Sequence, residues 1–177
     1  MLSDKMVKTI NEQINKEMYS GYLYMAMSAN STELGLDGFA KWFMVQYHEE
    51  MFHAMKMYEY LADQGVKIVL DAIAKPRDSW KTAMEMVKET YEHEKTVTAS
   101  IHNLMMIAKE ENDFATTAFL EWYVTEQVEE EKNAQDIINQ LKLAGDGPGL
   151  FMIDRELGAR TLTVPSDFSA GVSQAAV

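Results

Sequence analysis

Residues 48–54 read His48-Glu49-Glu50-Met51-Phe52-His53-Ala54. On a helix, Glu50 and His53 share one face, a turn apart. Surface helices carry Glu-x-x-His pairs by accident, so the pair alone says little. Its weight comes from what stands around it. Glu17 precedes Glu50 by 33 residues, Glu94 precedes Gln127 by 33, and Glu130 follows Gln127 by three. The second unit repeats the first at an offset of 77 residues. Each unit is a carboxylate on one helix facing an i, i+3 pair on the next. Folded as a four-helix bundle, this pattern places five metal-binding side chains at one level, where a di-iron centre would sit.

Working outward, five helical stretches frame these residues. The first runs from Asp4 to Thr32, with Val7, Ile10, Ile14, Met18, Tyr22 and Met25 spaced by three and four. Gly35, Asp37 and Gly38 mark a turn before the second, Phe39 to Gln64, whose stripe is Phe43, Tyr47, Met51, Ala54, Tyr58 and Leu61. The third starts near Trp80, with Ser79 or Asp78 as N-cap, and runs to Lys109. Asn112 and Asp113 separate it from the fourth, which ends at Ala144 before Gly145-Asp146-Gly147-Pro148-Gly149. A short fifth helix spans Leu150 to Leu157.

The midpoint of Glu17 and Glu50 falls just before Gly35, and that of Glu94 and Gln127 just before Asn112. Antiparallel helices joined at those turns bring each pair to the same height, roughly 25 Å from the turn at about 1.5 Å per residue. Gly65 to Ser79 is long for a helix–helix connection. Extended, it reaches about 50 Å, enough to traverse a bundle and make helices two and three parallel. The expected fold is therefore all-α: a four-helix bundle with a long crossover between helices two and three and a short fifth C-terminal helix. Residues 1–160 form one unit. Residues 161–177, poor in helical period, are expected to be a mobile tail.

The absence of cysteine excludes disulfides, zinc-thiolate sites and iron–sulfur clusters, and fits a reducing cytoplasm. With 28 acidic against 16 basic residues, the net charge of −12 argues against nucleic-acid binding. No apolar run approaches the roughly 20 residues of a membrane span. The N-terminus has no basic region leading into an apolar stretch, so a cytoplasmic protein is expected.

Glu17 and Glu94 fall mid-helix, where ionised groups are expensive unless paired or metal-bound. Lys16 and Lys95 are their neighbours in sequence, but i, i+1 side chains diverge. Four carboxylates and one imidazole suit iron, and the same donors accept manganese or zinc. Two metals sharing Glu50 would leave open positions for dioxygen. Tyr24, two turns after Glu17, either serves such a centre or is a core tyrosine with a satisfied hydroxyl. Glu126 repeats Glu49 at the same offset of 77 residues. Glu49, Glu126, Glu129 and Glu130 either hold a third cation or belong to a solvated acidic face. His48, His93 and His102 lack partners at matched depth and read as ordinary helix residues. The methionines read as packing, and Trp42 and Trp122 as core or interface anchors.

These residues resemble the bacterial-type non-haem ferritins over about residues 1–160. The likeness rests on Asn11-Glu12-Gln13 with Glu17-Met18-Tyr19-Ser20, on residues 48–54, on Glu89-Thr90-Tyr91-Glu92-His93-Glu94, and on Phe119 through Glu131. It implies a ferritin-like bundle that stores iron and has ferroxidase activity. Fe(II) would be oxidised by O2 or H2O2 at an intrasubunit di-iron centre, inside a shell of 24 subunits. Glu17, Glu50 and His53 would hold the first iron; Glu50, Glu94 and Glu130 the second. Gln127 and Tyr24 would lie beside them, and Glu49, Glu126, Glu129 and Glu130 would form a third iron site. Gln127-Val128-Glu129-Glu130 replaces the second Glu-x-x-His of bacterioferritins, which argues against haem. Met51 follows Glu50 as the haem methionine does there, so a haem-binding reading stays as an alternative. A non-enzymatic helical-bundle interaction protein is the other.

Overall fold

The computed structural model describes residues 2–145 and 147–163. Its helices are α1 (Asp4–Glu33), α2 (Asp37–Asp63), α3 (Ala83–Glu110), α4 (Phe114–Ala144) and α5 (Pro148–Leu157). No strand occurs among the described residues. Ser3 caps α1 by accepting from Met6 N–H at 3.0 Å, and Asp113 caps α4 by accepting from Thr116 N–H at 3.0 Å.

Hydrogen bonds fix the directions. Ser28 Oγ donates to the Ala40 carbonyl at 2.8 Å, so the end of α1 meets the start of α2. Ser20 pairs with His93, and Lys16 Nζ with Ser100, so α1 also runs antiparallel to α3. Helices α2 and α3 are therefore parallel, as the crossover requires. Three asparagines of α1 lace that crossover down. Asn11 receives Val69 N–H at 2.7 Å and donates to the Lys67 carbonyl. Asn15 donates to the Asp71 carbonyl at 3.1 Å. Asn30 exchanges two hydrogen bonds with the Trp80 backbone, at 3.0 and 3.1 Å. The crossover is largely exposed, and these bonds pin its irregular backbone to α1.

Several expectations are corrected. Helix α3 begins at Ala83, capped by Thr82 rather than Ser79 or Asp78, because Thr82 Oγ1 accepts from Glu85 N–H at 3.1 Å while the Asn30 amide holds Trp80 in the crossover. Asp37 and Gly38 lie in the first turn of α2 instead of the preceding turn, where Gly35 supplies the positive φ of 73°. Helix α5 starts at Pro148, whose fixed φ suits a first helical position. Tyr22 and Met25, placed on the α1 core stripe, are exposed; Leu23, Tyr24 and Met27 are buried instead. The buried face of α1 also contains Gln13, Glu17, Ser20 and Ser28, so a stripe drawn through apolar residues alone drifts off it. Of the expected tail, residues 164–177 lie outside the described residues.

The apolar interior is split in two. One cluster gathers Leu23, Tyr24, Met27, Phe43, Met86 and Ile137 near the α1–α2 turn; the other gathers Ile10, Ile14, Ala54, Met57, Ile101 and Leu120 at the opposite end. Between them lies a buried polar layer containing Glu17, Glu50, His53, Glu94, Gln127 and Glu130.

Candidate metal centre

Glu17 comes from α1, Glu50 and His53 from α2, Glu94 from α3, and Gln127 and Glu130 from α4. Glu17, Glu50 and His53 converge: one ligand atom from each lies within 4.8 Å of the others. His53 Nδ1 is 3.5 Å from Glu50 Oε2. Glu17 Oε2, Glu50 Oε2 and His53 Nε2 are buried without a hydrogen-bond partner in the protein. Buried polar atoms are nearly always satisfied, so three orphans on adjoining side chains require a reason. Two carboxylate oxygens and an imidazole nitrogen form a donor set that a divalent cation would complete. The residues fit a metal ion.

Three other carboxylate contacts are supplied by glutamine amides. Gln13 Nε2 donates to Glu17 Oε1 at 2.9 Å, Gln46 Nε2 to Glu130 Oε2 at 2.8 Å, and Gln127 Nε2 to Glu94 Oε2 at 3.1 Å. Glu94 Oε1 takes the hydroxyl of Tyr24, which is fully buried against Phe43. Each amide fixes a carboxylate rotamer; the other oxygen of Glu17 is left without a partner, whereas that of Glu94 is held by Tyr24. Glu50 has no such partner among the glutamines.

Electrostatics follow from burial. Desolvation pushes Glu17 up from 4.5 to about 7, against the lowering effect of the Gln13 hydrogen bond. Desolvation, then the charges of Glu94 and Glu17, lifts Glu50 well above the usual carboxylate range. Glu130 and Glu94 are raised as well, first by burial. His53 is held down to about 4 by burial among Phe52, Trp122 and Tyr123. It is neutral near pH 7, the form that ligates metal. Tyr123 steadies its helix by donating to the His53 carbonyl at 2.8 Å.

The residues read as a third cation site spread outward from this layer. Glu130 is buried, Glu49 is buried against Arg160, Glu126 is partly buried, and Glu129 is exposed. His53 Nε2 stands 4.0 Å from Glu126 Oε1. Glu49, Glu126 and Glu129 line a cleft of about 890 Å³. Among the described residues, only Glu17, Glu50 and His53 bring three ligand atoms within 4.8 Å of one another. His93 hydrogen-bonds Ser20 at 2.8 Å, away from the centre. Sequence reasoning missed Gln13, Gln46, Tyr123 and Arg160. The first two were readable, since each stands one turn before a candidate ligand on the same helix face. Arg160 follows α5, where no periodicity marks it.

A four-helix bundle with a long crossover, carrying carboxylates and an imidazole in a buried mid-bundle layer, defines the ferritin-like class. The family described as Ferritin-like domain matches residues 7–144, and the chain belongs to it. It is 44% identical to a probable bacterial non-heme ferritin-like protein of Haemophilus influenzae, over 89% of this chain and 96% of that one. It is 37% identical to the bacterial non-heme ferritin of Staphylococcus aureus, over 91% and 98% of the two chains. Its fold matches an open pore ferritin from the archaeon Archaeoglobus fulgidus with a TM-score of 0.90 at 44% identity, covering 91% of this chain and all of that one. Neither the haem-binding nor the interaction-protein alternative gains support from these relatives.

Proposed function

We propose that this protein stores iron and oxidises it at the buried layer. Fe(II) is the substrate. The first ion takes Glu17, Glu50 and His53; the second takes Glu50, Glu94 and Glu130, with Gln127 and Tyr24 orienting Glu94. The observation that carries this reading is the trio of orphaned donor atoms on Glu17, Glu50 and His53. Binding displaces the protons that burial keeps on the carboxyls, and the carboxylates favour the ferric product. Two Fe(II) ions give up two electrons. With two protons, these reduce O2 to H2O2, or H2O2 to two waters. Glu49, Glu126, Glu129 and Glu130 serve a third ion. Residues 1–160 act as one unit, with 161–177 as a tail. The protein assembles as a shell of 24 subunits in the cytoplasm, engaging neither nucleic acid nor membrane; no helix of the described residues is long and apolar enough to span one.

An anaerobic Fe(II) titration followed by oxygen, with the particle mass measured alongside, tests this. Two tightly bound ions per subunit, a fast oxidation phase and a shell-sized particle are expected. His53→Ala and Glu94→Ala should each lose the fast phase while keeping helix content. Unaltered kinetics in both variants would refute the assigned roles. Glu129→Gln should change later turnover, and an identical oxygen-to-iron ratio would count against the third ion.

A further inference from the structure

Arg160 reaches back from the end of α5 into the acidic cleft beside the centre. Its Nη2 lies 2.7 Å from Glu49 Oε2, and its Nη1 donates to Gln46 Oε1. The guanidinium packs over the Trp42 ring, 5.2 Å from its centroid. Glu49 is almost fully buried, and Arg160 is the cation that neutralises it. Lys56, in the same cleft, lies instead over Trp122 at 4.7 Å. Arginine only donates, so Gln46 must turn its carbonyl toward Arg160 and its NH2 toward Glu130. A continuous path thus runs from Arg160 through Gln46 to Glu130. On the other side of the cleft, His53 Nε2, buried and unpartnered, faces Glu126 at 4.0 Å.

We propose that Arg160 is a tethered cation that holds the place of the third metal ion. It keeps Glu49 neutralised until a divalent ion displaces it. A divalent ion on Glu49 and the guanidinium 2.7 Å from Glu49 Oε2 repel one another, so binding of the ion and docking of Arg160 compete. Displacement frees residues 160–163 and removes the hydrogen bond that orients Gln46 toward Glu130. Helix α5 stays in place, because Phe39 N–H donates to Asp154 Oδ1 at 2.9 Å and Lys41 Nζ to the Gly158 carbonyl at 2.7 Å. Occupancy of the third position is thereby reported to a ligand of the second iron and to the residues after α5. This rests on the third-ion reading of Glu49, Glu126 and Glu129.

The test uses the assembled full-length protein and Zn(II), which is redox-inert. Calorimetric titration of Arg160→Gln should show one ion bound about tenfold more tightly than in the parent, within the usual range of coupling between sites. Adding Glu126→Gln should remove that gain. Arg160→Lys keeps the charge and should keep the weaker affinity. Hydrogen exchange over residues 159–163 should rise when Zn(II) is added to the parent, and should already be high in metal-free Arg160→Gln. Suppose the Glu126-dependent ion binds equally well with and without Arg160. Then the competition is wrong while the third-ion reading survives. If neither protein binds an ion sensitive to Glu126→Gln, both fall. Should Arg160→Gln fail to assemble, Glu49→Gln gives a second arm: it removes the anchor and must raise exchange over 159–163 without metal. Unchanged exchange there would overturn the proposal.

Discussion

Gln127 Nε2 lies 3.1 Å from Glu94 Oε2 and 3.3 Å from the Glu94 backbone carbonyl, so one amide spans both ends of its neighbour. By the 77-residue offset, Gln127 is the counterpart of Glu50. The first unit thus offers a carboxylate where the second offers a neutral amide. That limits the inner layer to four carboxylates, enough to balance the charge of two divalent ions. It also gives Glu94 a donor.

Gln127→Glu should upset this balance. The metal-free protein gains a buried acid facing Glu94 and loses a hydrogen bond, which should destabilise it by about 1–3 kcal/mol. The extra carboxylate should hold metal longer and slow repeated iron turnover. Denaturant unfolding with a chelator, then with Zn(II), checks both parts. An unchanged metal-free midpoint would show that the amide is not relieving charge.

Tyr24 donates to Glu94 Oε1 from a fully buried position, stacked on Phe43 with ring centroids 6.2 Å apart. Tyr24→Phe keeps the packing and deletes only the donor. A loss of about 1–3 kcal/mol is expected in the metal-free protein, the usual cost of a buried acceptor left unpaired. Zn(II) should shrink the difference, because a metal-bound Glu94 depends less on the hydroxyl. Equal losses with and without metal would mean that Tyr24 acts on packing alone.

Stability of the metal-free protein should fall as pH rises from about 4.5 to 7. Burial lifts Glu17 from 4.5 to about 7 and raises Glu50, Glu94 and Glu130. A carboxyl raised on folding contributes fully below its unfolded value, and that contribution is lost as pH climbs through the folded value. His53, lowered from 6.5 to about 4, and His93, also lowered, act oppositely: their contribution is lost as pH falls. Four carboxyls outweigh two imidazoles, so the net slope is negative. Zn(II) takes the place of the protons and should reverse it. Melting curves with chelator and with Zn(II), from about pH 5 to 7.5, should diverge. Parallel curves would mean the carboxyls are not held protonated.

The bundle was legible because spacing is one-dimensional. Equal distances from a turn become equal heights, so Glu17 could be matched with Glu50 before any coordinates. The crossover direction followed from chain reach. The glutamine amides were half legible: Gln13 and Gln46 share a face with the glutamates one turn on, but polar residues at such positions also read as surface. Tyr22 and Met25 misled for the converse reason, since an apolar stripe does not record which face a polar layer needs. Arg160 had no signal, because its partners Gln46 and Glu49 lie more than 100 residues away.

Two glycines on the bundle face different neighbours, and their alanine variants should differ in sign. A Cβ on Gly38 would stand 1.6 Å from the Asp154 carbonyl oxygen, within the backbone of α5. Alanine normally favours a helix interior over glycine by roughly 0.5–1 kcal/mol. Here that gain is small beside a backbone overlap, which only a shift of α5 can relieve. That shift would pull Asp154 from Phe39 N–H, and a net loss of about 1–3 kcal/mol is expected. A Cβ on Gly21 would meet Tyr47 at 3.4 Å and Glu50 Cβ at 3.5 Å, ordinary contact distances. Gly21→Ala should therefore leave stability unchanged or raise it by up to about 1 kcal/mol. Hydrogen exchange across residues 150–157 separates the mechanisms: it should rise in Gly38→Ala and stay at the parent level in Gly21→Ala. A stable Gly38→Ala with α5 still protected would show that α5 does not rest on this glycine.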